Sequence, residues 1–188
     1  MADVGLLNSG GIDSRVTAAM LVASGMTVHS LRVDWSPPVS EAAGACARRT
    51  ADLYCASHVE FPWPVDWLTR FDALGADSIP YTVPALYLLG AMYAHRLGTE
   101  YVATGARREV ESHPSLFDHL SGMLAADRFS GGKALLRPLY DMTADEVDAK
   151  GRELGVDMAS TWSCTSRAPH CGECGSCRRR VRVGLPCP

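Results

Sequence analysis

The sequence predicts an α/β protein: a doubly wound parallel sheet with a small four-cysteine motif at its C-terminal end. Three observations predict it. Short apolar runs alternate with stretches of helical period as far as residue 153. A Ser-Gly-Gly turn stands directly between the first run and the first helical stretch. Four of the seven cysteines crowd into the 14-residue window from Cys164 to Cys177.

Taken in order, Val4 to Leu7 reads as a short buried strand. Val16, Ala19, Met20 and Ala23 then recur at helical spacing until Gly25 offers a C-cap. Thr27 to Asp34 is a second strand, Ser40 to Ser57 a second helix, and His58 to Phe61 a third strand, followed by the Pro/Trp-rich loop "PWPVDW". Pro84 can start a helix that runs to Leu97 and is capped by Gly98, after which "EYVATGA" is a fourth strand. Ser112 and Pro114 open a further helix, and "ALLRPLY" is a fifth strand ending near Pro138. The stretch "TADE", Thr143 to Glu146, is a capping box, so a last helix of the sheet domain runs to Glu153 with Gly155 behind it. Strands alternating with helices imply parallel pairing, because right-handed crossovers cover both faces. Ligands of such sheets bind at the C-terminal strand ends.

At 188 residues the chain has the length of one domain with a small appendage. The expected division is residues 1–160 for the α/β domain and 161–188 for a metal-binding segment packed on it. A net charge of −3 with 47% apolar residues excludes a disordered segment and a globally basic nucleic-acid binder. "MADVGLLNSG" lacks the basic leader of a signal peptide, and the longest apolar stretch, "ALYLLGAMYA", is too short to cross a bilayer. A cytoplasmic protein with no membrane partner is expected.

The turn "LNSGGIDSR" raises the functional question. Its glycines let the backbone approach a bulky anion, and the free N–H groups of a helix start carry partial positive charge, so a strand-turn-helix of this composition suits phosphate. Ser9 and Ser14 add hydroxyl donors. Asp13 is the odd member, since a carboxylate repels phosphates unless it caps amides or meets a magnesium ion; Mg2+ is therefore implied. The Walker loop would need Gly-Lys-Ser/Thr and the dinucleotide fingerprint a third glycine, and neither is present.

At the other end, "TWSCTSRAPHCGECGSCRRRV" contains C-x6-C-x2-C-x2-C. Four thiolates at this spacing can close a tetrahedron around one ion, the preference of structural zinc. Cys164, Cys171, Cys174 and Cys177 are thus candidate Zn2+ ligands. An iron–sulfur cluster is the competing metal, because C-x2-C-x2-C before the distant Cys187-Pro188 has part of the ferredoxin pattern. Cys46 and Cys55, on a helix, read as small core residues.

The loop Ser9, Gly10, Gly11, Asp13, Ser14 resembles the Ser-Gly-Gly-x-Asp-Ser loop of the N-type ATP pyrophosphatases, whose fold is that of the adenine nucleotide alpha hydrolases. Together with "LLRPLYDMTADEVDAKGRELGV" running into "TWSCTSRAPHCGECGSCRRR", the chain resembles the 7-cyano-7-deazaguanine synthase family, with Arg180 on the last position of that family's Cys-x-x-Arg. The resemblance implies a ligase that uses ATP to adenylate a carboxylate, releases pyrophosphate and lets ammonia displace AMP to give an amide and then a nitrile. It implies a homodimer with a small-molecule carboxylate as substrate and no nucleic-acid partner. Within it, Asp13 and Arg137 are the catalytic candidates, Arg137 for the phosphates or for a surface salt bridge. Ser9, Gly10, Gly11, Asp13, Ser14, Asp34 and Gly105 are the nucleotide-binding candidates, Asp34 facing the adenosine or merely ending its strand.

The middle of the chain departs from that family. "VPALYLL" stands where a Pro-x-Arg-Asn stretch is usual, "SHPSLFDHL" keeps Pro114 but lacks the family's Asp-Cys-Arg, and "WSPPVSE" follows Asp34 without Gly-Gln-x-x-His. A site built for a polar heterocycle loses much affinity when its hydrogen-bond partners vanish. The substrate expectation therefore stays open between 7-carboxy-7-deazaguanine and a different acid, with Arg107, Arg108, Glu109, His113 and His119 available to rebuild a pocket. Two other classes stay open: an ATP pyrophosphatase that thiolates RNA, using "RRRVR" at 178 to 182, and a binding subunit that has lost its chemistry. The arginine run reads equally as a solvated face or a dimer contact.

Overall fold

The computed structural model describes residues 1–34, 40–62, 82–110, 115–126, 132–164, 166 and 168–187. Among them, five parallel strands form one sheet: β1 (Asp3–Leu7), β2 (Thr27–Asp34), β3 (Ser57–Pro62), β4 (Tyr101–Thr104) and β5 (Ala134–Leu136), in the order β3-β2-β1-β4-β5. The helices are α1 (Ile12–Ala23), α2 (Ser40–Tyr54), α3 (Thr82–Leu97), α4 (Leu116–Ala126), α5 (Ala144–Glu153) and α6 (Gly175–Arg182). Parallel strands need long crossovers, and the helices supply them.

Register fixes where the strands end. Leu7 of β1 lies between Leu31 of β2 and Thr104 of β4. Chain order reverses at β1, which has β2 on one side and β4 on the other, so the crevice between the C-terminal ends of β1 and β4 is the topological switch point of the sheet. The first turn of the chain opens there.

Both faces of the sheet are covered. Val4, Leu6, Val28 and Ala103 pack with Ala18 and Leu21 of α1. Ile12, Val16 and Ala19 extend that layer to Leu139, Val147, Val156 and Met158. On the opposite face, Ala91 and Ala94 of α3 meet Val102 and Leu124, while Tyr93 lies on Leu31 and Val33. Helix α3 comes close because residue 90 is glycine: a Cβ there would stand 3.0 Å from Val102 Cγ1. Among the described residues, no helix is long and apolar enough to cross a membrane.

The elements expected up to Glu153 and the observed ones agree in kind and differ at their ends, whereas α6 was not expected from the sequence. The second strand has its expected bounds. The second helix stops at Tyr54 rather than Ser57, because Ser57 already pairs with His29 in the sheet. Helix α3 begins at Thr82, before Pro84, a position where the ring still fits within the first turn. The fifth strand is only three residues long and ends at Leu136. Ser112 and Pro114 lie outside the described residues, and the helix they were expected to open begins at Leu116.

The capping box is present in full. Glu146 N donates to Thr143 Oγ1 at 3.3 Å, and Thr143 N donates to Glu146 Oε2 at 2.7 Å, so two orphan donors of the helix start are satisfied. Thr143→Ala is expected to cost about 1 kcal/mol of stability, read as a lower urea midpoint with an unchanged slope.

Candidate functional site

Asn8, Ser9, Gly10 and Gly11 carry the chain from β1 into α1. Asn8 is buried, and its amide donates to Ser30 Oγ at 3.0 Å and to Ala47 O at 2.9 Å, while its Oδ1 accepts from Gly10 N at 3.0 Å. One side chain thus ties the turn to β2 and α2. Gly10 has φ of +79°, and a Cβ there would lie 2.3 Å from Ala43 O, so only glycine passes between the turn and α2. The Ser9 and Ser14 hydroxyls share a hydrogen bond of 2.9 Å, and Ser9 N donates to Ser14 Oγ. Gly11 is the N-cap of α1 and has no side chain to cap it, so no side-chain bond from the cap position meets the first amides of that helix.

These groups open into a cavity of about 290 Å3 lined by Ser9, Asp13 and Ser14 on the turn and by Thr104 and Gly105 at the end of β4. Its other walls are mainly apolar, with Leu31, Val33, Val83, Leu86 and Leu116, joined by Asn8 and Tyr87. Gly105 is required by proximity, since a Cβ there would meet the Asp13 carbonyl at 2.8 Å. A polar, amide-rich floor under an apolar wall suits a charged tail attached to a flat apolar body.

Two arginines balance the charge of Asp13 within the protein. Its Oδ2 accepts from Arg107 Nε at 3.2 Å, and its Oδ1 accepts from Arg179 Nη1 at 2.8 Å. Arg107 is in turn held by Glu109 at 2.6 Å, and Arg179 by Asp148 at 2.6 and 3.2 Å. The other candidates stand further out. The Asp34 carboxylate is paired with Arg32 at 3.3 Å, and Arg32 also donates to Ser9 O, which links it to the turn from outside the cavity lining. The Arg137 guanidinium stacks on the rings of Phe117 and Tyr140, 2.8 and 3.4 Å from their centroids. Of the residues expected to rebuild a pocket, Arg108 pairs with exposed Asp141, Glu109 holds Arg107, His119 is exposed, and His113 lies outside the described residues.

Cys164, Cys171, Cys174 and Cys177 converge, their sulfurs all within 4.8 Å of one another and those of Cys171 and Cys177 3.9 Å apart. Thiolates bound at about 2.3 Å to one tetrahedral ion stand about 3.8 Å apart, so the spacing fits a single ion. Backbone amides point at the sulfurs: Cys171 N donates to Cys164, Cys174 N to Cys171, and Cys177 N to Cys174, at 3.3 to 3.4 Å. The Cys174 amide brings the Cys171 thiol down to about 6, whereas burial pushes Cys177 up.

The arginine run beside this cluster turns partly inward. Arg180 is buried, with its guanidinium donating to Thr161 O, Thr161 Oγ1, Ala159 O and Pro186 O at 2.9 to 3.0 Å. Arg178 and Arg182 are exposed. Sequence reasoning missed Asn8, Arg15 and Arg179. An asparagine before Ser-Gly-Gly is a usable turn signal; the two arginines had none, because their partners lie 142 and 166 residues away.

A family model described as "Queuosine biosynthesis protein QueC" matches residues 74–184. A 7-cyano-7-deazaguanine synthase of Methanothrix thermoacetophila is 27% identical over 97% of this chain and 95% of its own length. A 7-cyano-7-deazaguanine synthase 1 of Sphingopyxis alaskensis is 29% identical over 93% of this chain and 90% of its own. In three dimensions, the U34-tRNA thiolase NcsA from Methanococcus maripaludis with its [4Fe-4S] cluster superposes with a TM-score of 0.62 over 97% of this chain. At 16% identity that likeness concerns the fold alone, and the chain spans 64% of the thiolase's length.

The sulfur geometry yields a direct test. Cys174→Ala is expected to lose bound metal and the order of the C-terminal segment together, seen as near-zero metal by elemental analysis and a lowered melting temperature. A metal-free chain that melts like the wild type would refute the site.

Proposed function

The chain belongs to the family described as queuosine biosynthesis protein QueC, and from that membership we propose that it is an ATP-dependent ligase that adenylates a carboxylate, 7-carboxy-7-deazaguanine or a related acid. The observation that carries the reading is the uncapped start of α1, with the Ser9 and Ser14 hydroxyls, opening into the cavity at the switch point of the sheet. Those donors suit the phosphates of ATP. The apolar wall of Leu31, Val33 and Leu86 suits the adenine ring.

In this reading a carboxylate oxygen attacks the α-phosphorus and pyrophosphate departs with the electron pair of the broken P–O bond. Ammonia then attacks the activated carbonyl carbon, AMP leaves, and the nitrogen gives up a proton to yield an amide. The amide oxygen then attacks the α-phosphorus of a second ATP, pyrophosphate again departs, and loss of AMP and two protons gives the nitrile. Such chemistry relies on positioning and charge neutralisation more than on a side-chain nucleophile. Arg107 and Arg179 keep the carboxylate of Asp13 neutralised beside the incoming phosphates. Magnesium would arrive with the triphosphate, since such ions bind through one or two carboxylates plus substrate phosphates and keep several waters.

Zinc is the metal we assign to Cys164, Cys171, Cys174 and Cys177, because one tetrahedral ion accounts for the sulfur spacing. Four thiolates leave no coordination position for substrate, so its role is architectural. The RNA-thiolating alternative gains little support from the arginine run, since Arg179 and Arg180 are engaged within the protein.

Incubation with ATP, magnesium, ammonium and 7-carboxy-7-deazaguanine should give AMP, pyrophosphate and the amide or nitrile by mass spectrometry. AMP formed only with another acid would redirect the substrate, and ADP in place of AMP would end the reading. Asp13→Ala should abolish pyrophosphate release while the far-UV spectrum stays that of a folded chain.

A further inference from the structure

Two residues beyond the last cysteine of the cluster, Arg179 leaves the C-terminal helix and reaches the first turn of α1. Its side chain is 13% exposed and bridges two carboxylates: Nη1 donates to Asp13 Oδ1 at 2.8 Å, and Nη2 and Nε donate to Asp148 at 2.6 and 3.2 Å. Asp148, on α5, is 1% exposed and therefore a fixed anchor. A third contact, from Nη2 to Ala144 O at 3.3 Å, closes the fork. The guanidinium is held in position by the protein's own groups; burial lowers its basicity, and Asp148 and Asp13 more than offset that.

Asp13 lines the cavity at the same helix start that offers its amides to an anion. Arg107 Nε holds the Asp13 Oδ2 at 3.2 Å and Arg179 the Oδ1, so without Arg179 one carboxylate oxygen would be left to oppose a triphosphate by direct repulsion. We propose that Arg179 is a positioning residue of the phosphate loop: it neutralises Asp13 and fixes its carboxylate, so that the fold of the cysteine-bearing helix is transmitted to the nucleotide site. The inference rests on the reading of that loop as an ATP site. It goes beyond it by giving the metal-bearing segment a role in nucleotide affinity.

A merely structural Arg179 would serve only to neutralise buried Asp148, and paired substitution separates the two roles. Asp148→Asn combined with Arg179→Gln removes both charges of the buried pair, so that neither is left uncompensated in the interior. Calorimetric titration of the metal-loaded full chain with the magnesium complex of α,β-methylene-ATP reads the loop directly, without acid or turnover. The double variant is expected to retain its metal and its melting temperature yet bind about tenfold more weakly, the loss of one charge-assisted contact. Arg179→Lys keeps a charge but cannot bridge both carboxylates, so it should bind between the two, and it decides the matter if the double variant does not fold. Wild-type affinity in whichever of these variants folds would overturn the proposal. A wild-type chain that binds no nucleotide would overturn the ATP reading and the proposal with it, whereas wild-type binding with an unaffected variant would overturn the proposal alone.

Discussion

The structure depends on the clasp between the C-terminal segment and the first βα turn. Trp162 N donates to Gly10 O at 2.9 Å, which joins the glycine turn to the stretch that leads into the cysteines. Arg15, wholly buried in α1, spends every N–H of its guanidinium on Thr50, Cys46, Asp157 and Ser160. A buried guanidinium is tolerable only when its donors are satisfied. Here they are satisfied mainly by carbonyls of another part of the chain, so α1 and residues 157–160 hold each other in position.

Arg180 does the same from the other side. It gathers Ala159, Thr161 and Pro186 around one buried cation, so the ends of the C-terminal segment are drawn together next to the cysteine cluster. The cluster and the guanidinium are complementary: the four thiols can hold an ion in the loop, and the arginine fixes the strand of chain that enters it. Metal binding in such a segment is itself folding free energy. Whatever orders residues 159–187 therefore also bears on the turn that faces the cavity.

Legibility in the sequence followed the range of the interactions. The glycine turn, the strand before it and the helix after it are local, and "LNSGGIDSR" gave all three. Thr143 and Glu146 form a contact three residues apart, so the capping box could be read outright. Strand ends were less legible: the last turn expected of the second helix is taken by the sheet, because pairing of Ser57 with His29 wins over helical propensity there. The four cysteines were legible because thiolate spacing carries its own geometry. Their neighbour Arg179 was not, because a run of arginines looks alike whether it faces water or a carboxylate.

The sequence by itself determined the alternation of strands and helices, the glycine turn that ends β1 and the four thiolates that can share an ion, since each of these is a pattern of neighbours within one or two turns of chain. Only the tertiary structure decided which groups meet: that Asp13 lies between Arg107 and Arg179, that Arg137 stacks on the rings of Phe117 and Tyr140, and that Gly105 approaches the start of α1 too closely for any side chain. The physical reason is that ion pairs and close backbone approaches join residues whose separation in sequence carries no periodicity, so their partners are chosen by the packing of the sheet and its crossovers.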